Sequence, residues 1–157
     1  EAAARHKRQL AGPTRVGVGW GVSGDGQRVG AGRFDKTARL WDAATGALQA
    51  TLEGHTDYAM SCAFSSDGTR VVTASYDKTA RLWDAATGAL QTTLKGHTGH
   101  VTSCAFSSDG TRIVTAGGDK TARLWDAAQP GRVRFGRSIV FWKATNPATG
   151  PPQTTLK

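Results

Sequence analysis

The chain repeats itself every 42 residues, and that period limits the folds open to it more than any other feature. Trp41-Asp42, Trp83-Asp84 and Trp125-Asp126 recur at this spacing, as do His55 and His97, and Cys62 and Cys104. Laying residues 53–84 over 95–126 gives 32 pairs, of which 24 are identical. The eight differences are Glu53/Lys95, Asp57/Gly99, Tyr58/His100, Ala59/Val101, Met60/Thr102, Val71/Ile113, Ser75/Gly117 and Tyr76/Gly118. A fixed period of this size marks an architecture in which each repeat is one supersecondary unit that buries its apolar face against its neighbours.

Within a period the local signals are those of strands. Tyr58 to Phe64 is an apolar-leaning run closed by Ser65-Ser66-Asp67-Gly68, a turn cluster. Arg70 to Ser75 carries the β-branched Val71, Val72 and Thr73, and Thr79 to Trp83 follows after Tyr76-Asp77-Lys78. Ala85-Ala86-Thr87-Gly88 turns the chain again before Ala89 to Leu94. That is four short strands per period joined by tight turns. A 3.6-residue apolar stripe is not sustained over three turns anywhere, so helix is not expected. The apolar stretches are short and interrupted, so no membrane span is expected either. With no signal-peptide layout in view, the expected location is the cytoplasm.

The Gly-His to Trp-Asp spacing, the period and the four strands per period resemble the WD40 repeat. GHTGHVTSCAFSSDGTRIVTAGGDKTARLWD and WDAATGALQTTLKGH look like bacterial WD40 repeats. The resemblance is strong over residues 21–128 and weaker outside. It implies an all-β fold of β-propeller blades, two well formed and flanked by degenerate or partial ones, in an open or incomplete propeller. Residues 1–53 read as a degenerate first blade and 54–95 as a blade. Residues 96–128 read as a blade lacking its own outer strand. Residues 129–157 read as a truncated or decayed remnant, or as a basic tail. The resemblance further implies a piece of a larger propeller.

WD40 blades are held by a hydrogen-bonded tetrad of His, Ser or Thr, Asp and Trp. The resemblance places it on His55, Thr73, Asp77 and Trp83, and again on His97, Thr115, Asp119 and Trp125. The physical need is plain. A buried indole N–H requires an acceptor, and a buried imidazole requires partners for both nitrogens. A Thr-His-Asp trio also reads as a nucleophile with its base and orienting acid. Its recurrence in adjacent repeats favours the structural role, since an active site need not be duplicated. The first repeat departs from the pattern: Pro13 stands for His and Ala31 for Thr, while Asp35 and Trp41 remain. Gly17, Gly19 and Gly21 alternate through its first strand, which predicts a weak one.

The C-terminal QTTLK repeats Gln91–Lys95. Aligning Gly131–Lys157 with Thr69–Lys95 sets Ile139 in the place of the tetrad Asp and Thr145-Asn146 in the place of Trp-Asp. The net charge of +8 resides in the ends: residues 1–20 carry +3, 21–128 carry 0 and 129–157 carry +5. The basic flanks allow a second reading, nucleic-acid or anionic-surface binding, and Arg132, Arg134, Phe135, Arg137, Phe141 and Trp142 interleave charge with aromatics. The three glycines do not complete a dinucleotide fingerprint, because Val22 stands where a third spaced glycine would. His97 and His100 are three apart, which on a strand points them to opposite faces, and neither repeat has metal-ligand spacing. The two cysteines read as small apolar core residues. No enzyme, cofactor or metal site is expected.

What remains is a platform for protein partners, of the kind that in this family often sits beside signalling domains. Six of the eight differences between the repeats fall at the approach to the first strand and the turn between the second and third. Phe34, Asp57, Tyr58, Tyr76 and His100 are the candidate binding rim, with drift at exposed positions as the plain alternative. Three blades and a remnant fall short of a closed ring, so pairing with another copy is a further expectation.

Overall fold

The computed structural model describes residues 17–127 and the backbone of Ser138–Val140. Pro13, the basic residues of both flanks and the repeated QTTLK lie outside the described residues. Within these limits the chain is all β. Strands β1 (Gly17–Val22), β2 (Arg28–Arg33), β3 (Ala38–Asp42) and β4 (Leu48–Leu52) form one antiparallel sheet in sequence order. β5 (Ala59–Phe64), β6 (Arg70–Ser75), β7 (Thr79–Asp84) and β8 (Leu90–Lys95) form the second. β9 (Val101–Phe106), β10 (Arg112–Gly117), β11 (Thr121–Asp126) and β12 (Ser138–Val140) form the third. No helix long and apolar enough to cross a membrane occurs among the described residues.

The turns explain why all three repeats start alike. Between the first two strands of the second sheet, Ser65 Oγ donates to Asp67 Oδ1 (2.6 Å) and accepts from Arg70 N (3.0 Å). Gly68 then takes φ +70°, a conformation that side chains disfavour. Ser23 with Asp25, and Ser107 with Asp109, repeat this arrangement. Hydrogen bonds from Ser65, and from the Thr69 amide and hydroxyl, hold the Asp67 carboxyl down to about 2.

The sheets stack face to face through two apolar cores. Ala38, Leu40 and Leu52 of the first meet Cys62, Phe64, Val71, Trp83 and Ala85 of the second. Val72, Ala74, Ala80, Leu82 and Leu94 of the second meet Val101, Cys104, Ile113, Trp125 and Ala127 of the third. Each sheet thus presents a Leu-bearing face forward and a Trp-bearing face back.

Two features differ from the sequence expectation. The glycine-rich β1 is formed, and its glycines serve contact. An ideal Cβ on Gly19 would lie 2.3 Å from Met60 O, and on Gly21 2.6 Å from Cys62 O. On β2, Gly30 would meet Cys62 Sγ and Gly32 would meet Ala59 O, each at 2.6 Å. The cost in strand propensity is offset by backbone-close packing of β1 and β2 on β5. Second, the third sheet has a fourth strand. Ser138, Ile139 and Val140 pair with Arg123, Ala122 and Thr121. Ile139 thereby takes the register that Leu94 holds opposite Ala80, not the place of a tetrad Asp. The backbone edge of β11 pairs with a returning segment that is three residues out of phase with the period.

Candidate functional site

Two constructions stand out, one inside the sheets and one on their rim. Inside, the eight tetrad residues meet as two copies of one network. Trp83 Nε1 donates to Thr73 Oγ1 (2.8 Å), Thr73 Oγ1 lies 2.7 Å from His55 Nε2, and His55 Nδ1 lies 2.7 Å from Asp77 Oδ2. In the third sheet the same distances, for Trp125, Thr115, His97 and Asp119, are all 2.8 Å. A neutral imidazole protonated on Nδ1 satisfies every group. Thr accepts from the indole and donates to Nε2, and Nδ1–H donates to the carboxylate. That proton placement follows from the network.

The aspartates also tie down backbone. Asp77 accepts from Thr56 N (3.1 Å), Thr79 N (2.9 Å) and Thr79 Oγ1 (2.6 Å). Burial alone would raise its carboxyl, but bonds from His55 and Thr79 outweigh it and hold the group far below the ordinary carboxylate range. Asp119 is held down in the same way, burial being outweighed by Thr121 and His97. The Gly before each His is fixed by geometry: Gly54 has φ +149°, and an ideal Cβ there would lie 2.3 Å from Arg81 Nη1 and 3.4 Å from the Trp83 ring.

These trios have the partners of a nucleophile but not its access. Thr73 and Thr115 are completely buried and the imidazoles of His55 and His97 are sealed. Thr73 sits under an indole that uses its lone pair. The arrangement ties the approach segment, the second and third strands and the turn of one sheet together. In the first sheet Ala31 occupies the Thr position, paired with Arg39 as Thr73 is with Arg81. Trp41 is still buried, and its indole N–H finds no partner among the described residues. Cys62 and Cys104 are buried thiols; burial pushes Cys104 up to about 12 and Cys62 higher. An open groove at the other end of the first two sheets, lined by Gln27, Arg28, Asp42, Gln49, Ala85 and Ala86, gathers no catalytic set.

The aromatic residues of the candidate rim come together in a row. The Phe34 ring contacts Tyr58 edge-on at 5.0 Å between centroids, Tyr58 lies 6.0 Å from Tyr76, and Tyr76 stacks on His100 at 4.3 Å. His100 Nδ1 lies 2.8 Å from the Tyr76 carbonyl oxygen, the proton therefore being on Nδ1. Phe34 and Tyr76 come from the turns after β2 and β6, Tyr58 and His100 from the approaches to β5 and β9. The row thus crosses all three sheets. Phe34 is 37% and Tyr58 41% exposed. Asp57 lies beside it, its carboxylate accepting from Tyr58 N (2.8 Å). Lys36, Lys78 and Lys120 stand exposed on the same turns at φ 72°, 70° and 64°. Gly118 replaces Tyr76 in the third sheet, and the row ends at His100.

Sequence reasoning missed a third device. Arg70, at the start of β6, reaches into the next sheet: Nη1 donates to Ala127 O (2.5 Å), Nη2 to Gly110 O (2.7 Å), and the guanidinium lies 5.5 Å from the Phe106 ring centroid. Arg28 does the same to Ala85 O, Gly68 O and the Phe64 ring. The signal was present, since Arg28, Arg70 and Arg112 are one period apart, as are Phe64 and Phe106.

Comparison with known proteins agrees with this geometry. The family model described as WD domain, G-beta repeat matches residues 46–84 and 88–126. The human WD repeat-containing protein 86 is 49% identical over 45 residues, which is 28% of this chain and 12% of that protein. The chain therefore spans only a small part of the length of this curated relative. WD40 repeats are in general interaction scaffolds and not enzymes. With paired Trp-Asp repeats, matching family models and four-stranded antiparallel sheets, the chain belongs to the WD40 repeat family.

Proposed function

We propose that this chain is a non-catalytic protein-interaction scaffold whose binding surface is the rim carrying Phe34, Asp57, Tyr58, Tyr76 and His100. The observation that carries the reading is the continuous aromatic row across three sheets. Aromatic side chains offer large contact area at little entropic cost and dominate the energetics of interfaces. The framework beneath is repeated almost unchanged, while the rim residues vary between repeats. On this reading it serves within a larger propeller or signalling protein.

The test is a Tyr58→Ala, Tyr76→Ala double variant. Neither residue belongs to a tetrad, so its thermal unfolding is expected to stay close to that of the parent chain. A partner identified by crosslinking in cells is expected to bind the variant more than about tenfold more weakly, the scale of a lost hot spot. Equal affinity would remove the rim from the binding surface.

A further inference from the structure

The rim carries charge as well as rings, and the charge is sorted along the sheets. Residues 17–127 hold 11 Lys and Arg against 11 Asp and Glu, so the described residues are neutral as a whole. Each sheet places one Arg and two Asp at the end away from the rim, as the second does with Arg70, Asp67 and Asp84. Three sheets gather three cations and six acids there, a balance of −3. The remaining eight cations and five acids lie toward the rim, a balance of +3. Of those acids, Asp77 and Asp119 are sealed in the tetrads and Asp35 is paired with Arg33 and Arg39. Glu53 and Asp57 are left to offset the exposed Lys36, Lys78, Lys95 and Lys120.

Three of these lysines sit where lysine is costly. Lys36, Lys78 and Lys120 have φ 72°, 70° and 64°, a left-handed conformation that glycine or asparagine adopts more easily. The residue two before them varies, being Phe34, Tyr76 and Gly118, while the lysine is kept in all three turns. Their ammonium groups make no ion pair among the described residues. What the three positions share is an exposed positive charge beside the aromatic row. The lysines and the rings stand on turns, not on the faces through which the sheets stack.

The row also sets the shape of what can lie on it. Tyr76 is stacked on His100 and Phe34 meets Tyr58 edge-on, so ring faces are already used within the row. Nucleic-acid bases need open ring faces to stack on, whereas a peptide side chain packs against ring edges and between rings. Successive rings are 5.0, 6.0 and 4.3 Å apart, one to two residues of an extended chain at ~3.3 Å each.

We propose that the partner of this rim is an acidic peptide segment in extended form, anchored by an aromatic side chain among Phe34, Tyr58 and Tyr76, with its carboxylates held by Lys36, Lys78 and Lys120. This assignment rests on the rim reading and adds the sign of the partner's charge. Asp57 opposes such a peptide at one point of the row, which gives the test a substitution of opposite sign.

The test is selection of random peptides of about 12 residues against the whole chain, followed by fluorescence anisotropy of the enriched peptides with the chain and its variants. The enriched peptides are expected to be net acidic and to carry an aromatic residue. A Lys36→Asn, Lys78→Asn, Lys120→Asn triple variant is expected to bind them about tenfold more weakly, the scale of three exposed charge pairs. Its circular dichroism should be unchanged, because asparagine accepts the left-handed turn. Asp57→Asn is expected to bind about two- to fivefold more tightly. Affinity for the parent chain should fall as salt rises from about 50 to 500 mM. No enrichment, or enrichment without regard to charge, would overturn the acidic partner. Binding that ignores salt and the lysines but is lost in the Tyr58→Ala, Tyr76→Ala variant would overturn it and leave the rim standing; binding indifferent to both sets of substitutions would remove the rim as well. A short oligo(dT) that binds more tightly than any enriched peptide, and is lost with the same lysines, would assign the surface to nucleic acid instead. If the triple variant loses its β-sheet spectrum, Lys36→Gln, Lys78→Gln and Lys120→Gln replace it.

Discussion

The first and second sheets share strand order, turn chemistry and tryptophan register, yet only the second contains the polar network. Trp41 pairs with Val29 as Trp83 pairs with Val71, and they are 3% and 1% exposed. Trp83 gives its indole proton to Thr73; Trp41 has Ala31 in that place. Apolar register and turns are therefore enough to place the tryptophan. The hydrogen-bonded network adds stability and ties the approach segment, which carries the His, to a kind of sheet that also forms without it. The first sheet also meets its neighbour differently in part: beside the side-chain core of Leu40 and Leu52, its glycines Gly19, Gly21 and Gly32 lie close against the backbone of β5.

That contrast can be broken from either side. The largest effect is expected from Thr73→Ala, which gives the second sheet the defect of the first. It strands the indole of Trp83 and Nε2 of His55 in the interior, at about 1–3 kcal/mol for each unsatisfied group, so urea unfolding should show a loss of about 2–6 kcal/mol. Gly30→Val comes next. It restores the residue found at Val72 and Val114, but its Cβ would fall 2.6 Å from Cys62 Sγ and 3.1 Å from Leu40. Overpacking should cost about 1–3 kcal/mol in the same measurement, so a change toward the repeat consensus is expected to destabilise. Ala31→Thr should act in the opposite direction and least. It offers Trp41 Nε1 an acceptor and should raise stability by about 0.5–1.5 kcal/mol, the net value of one buried hydrogen bond.

Much of the fold was legible because the sequence states it more than once. The period set the strand boundaries to within a residue or two, as in Ala59–Phe64 and Thr79–Asp84. The tetrad positions followed from the resemblance, matched by distance from Trp, and Asp57, Tyr58, Tyr76 and His100 of the rim from the differences between two otherwise matching repeats. What was not legible depends on neighbours in space. Gly19, Gly21, Gly30 and Gly32 read as weak strand formers until β5 is seen lying against them. Ile139 fell into the wrong column of an alignment, because pairing to an open edge follows backbone register and not the period. Arg28 and Arg70 recur with the period, but only the stacked sheet supplies their carbonyls and rings.

The most direct test of the locked and unlocked sheets is hydrogen exchange of the tryptophan indole protons by NMR, with each signal assigned through a Trp→Phe variant. Trp83 and Trp125 should be strongly protected, and Thr73→Ala should abolish the protection of Trp83 while leaving that of Trp125 intact. Trp41 should exchange faster than either, and slow when Ala31 is replaced by Thr. Equal protection of all three indoles in the parent chain, or a Trp83 signal indifferent to the loss of Thr73, would contradict the assignment of the network as the feature that separates the second and third sheets from the first.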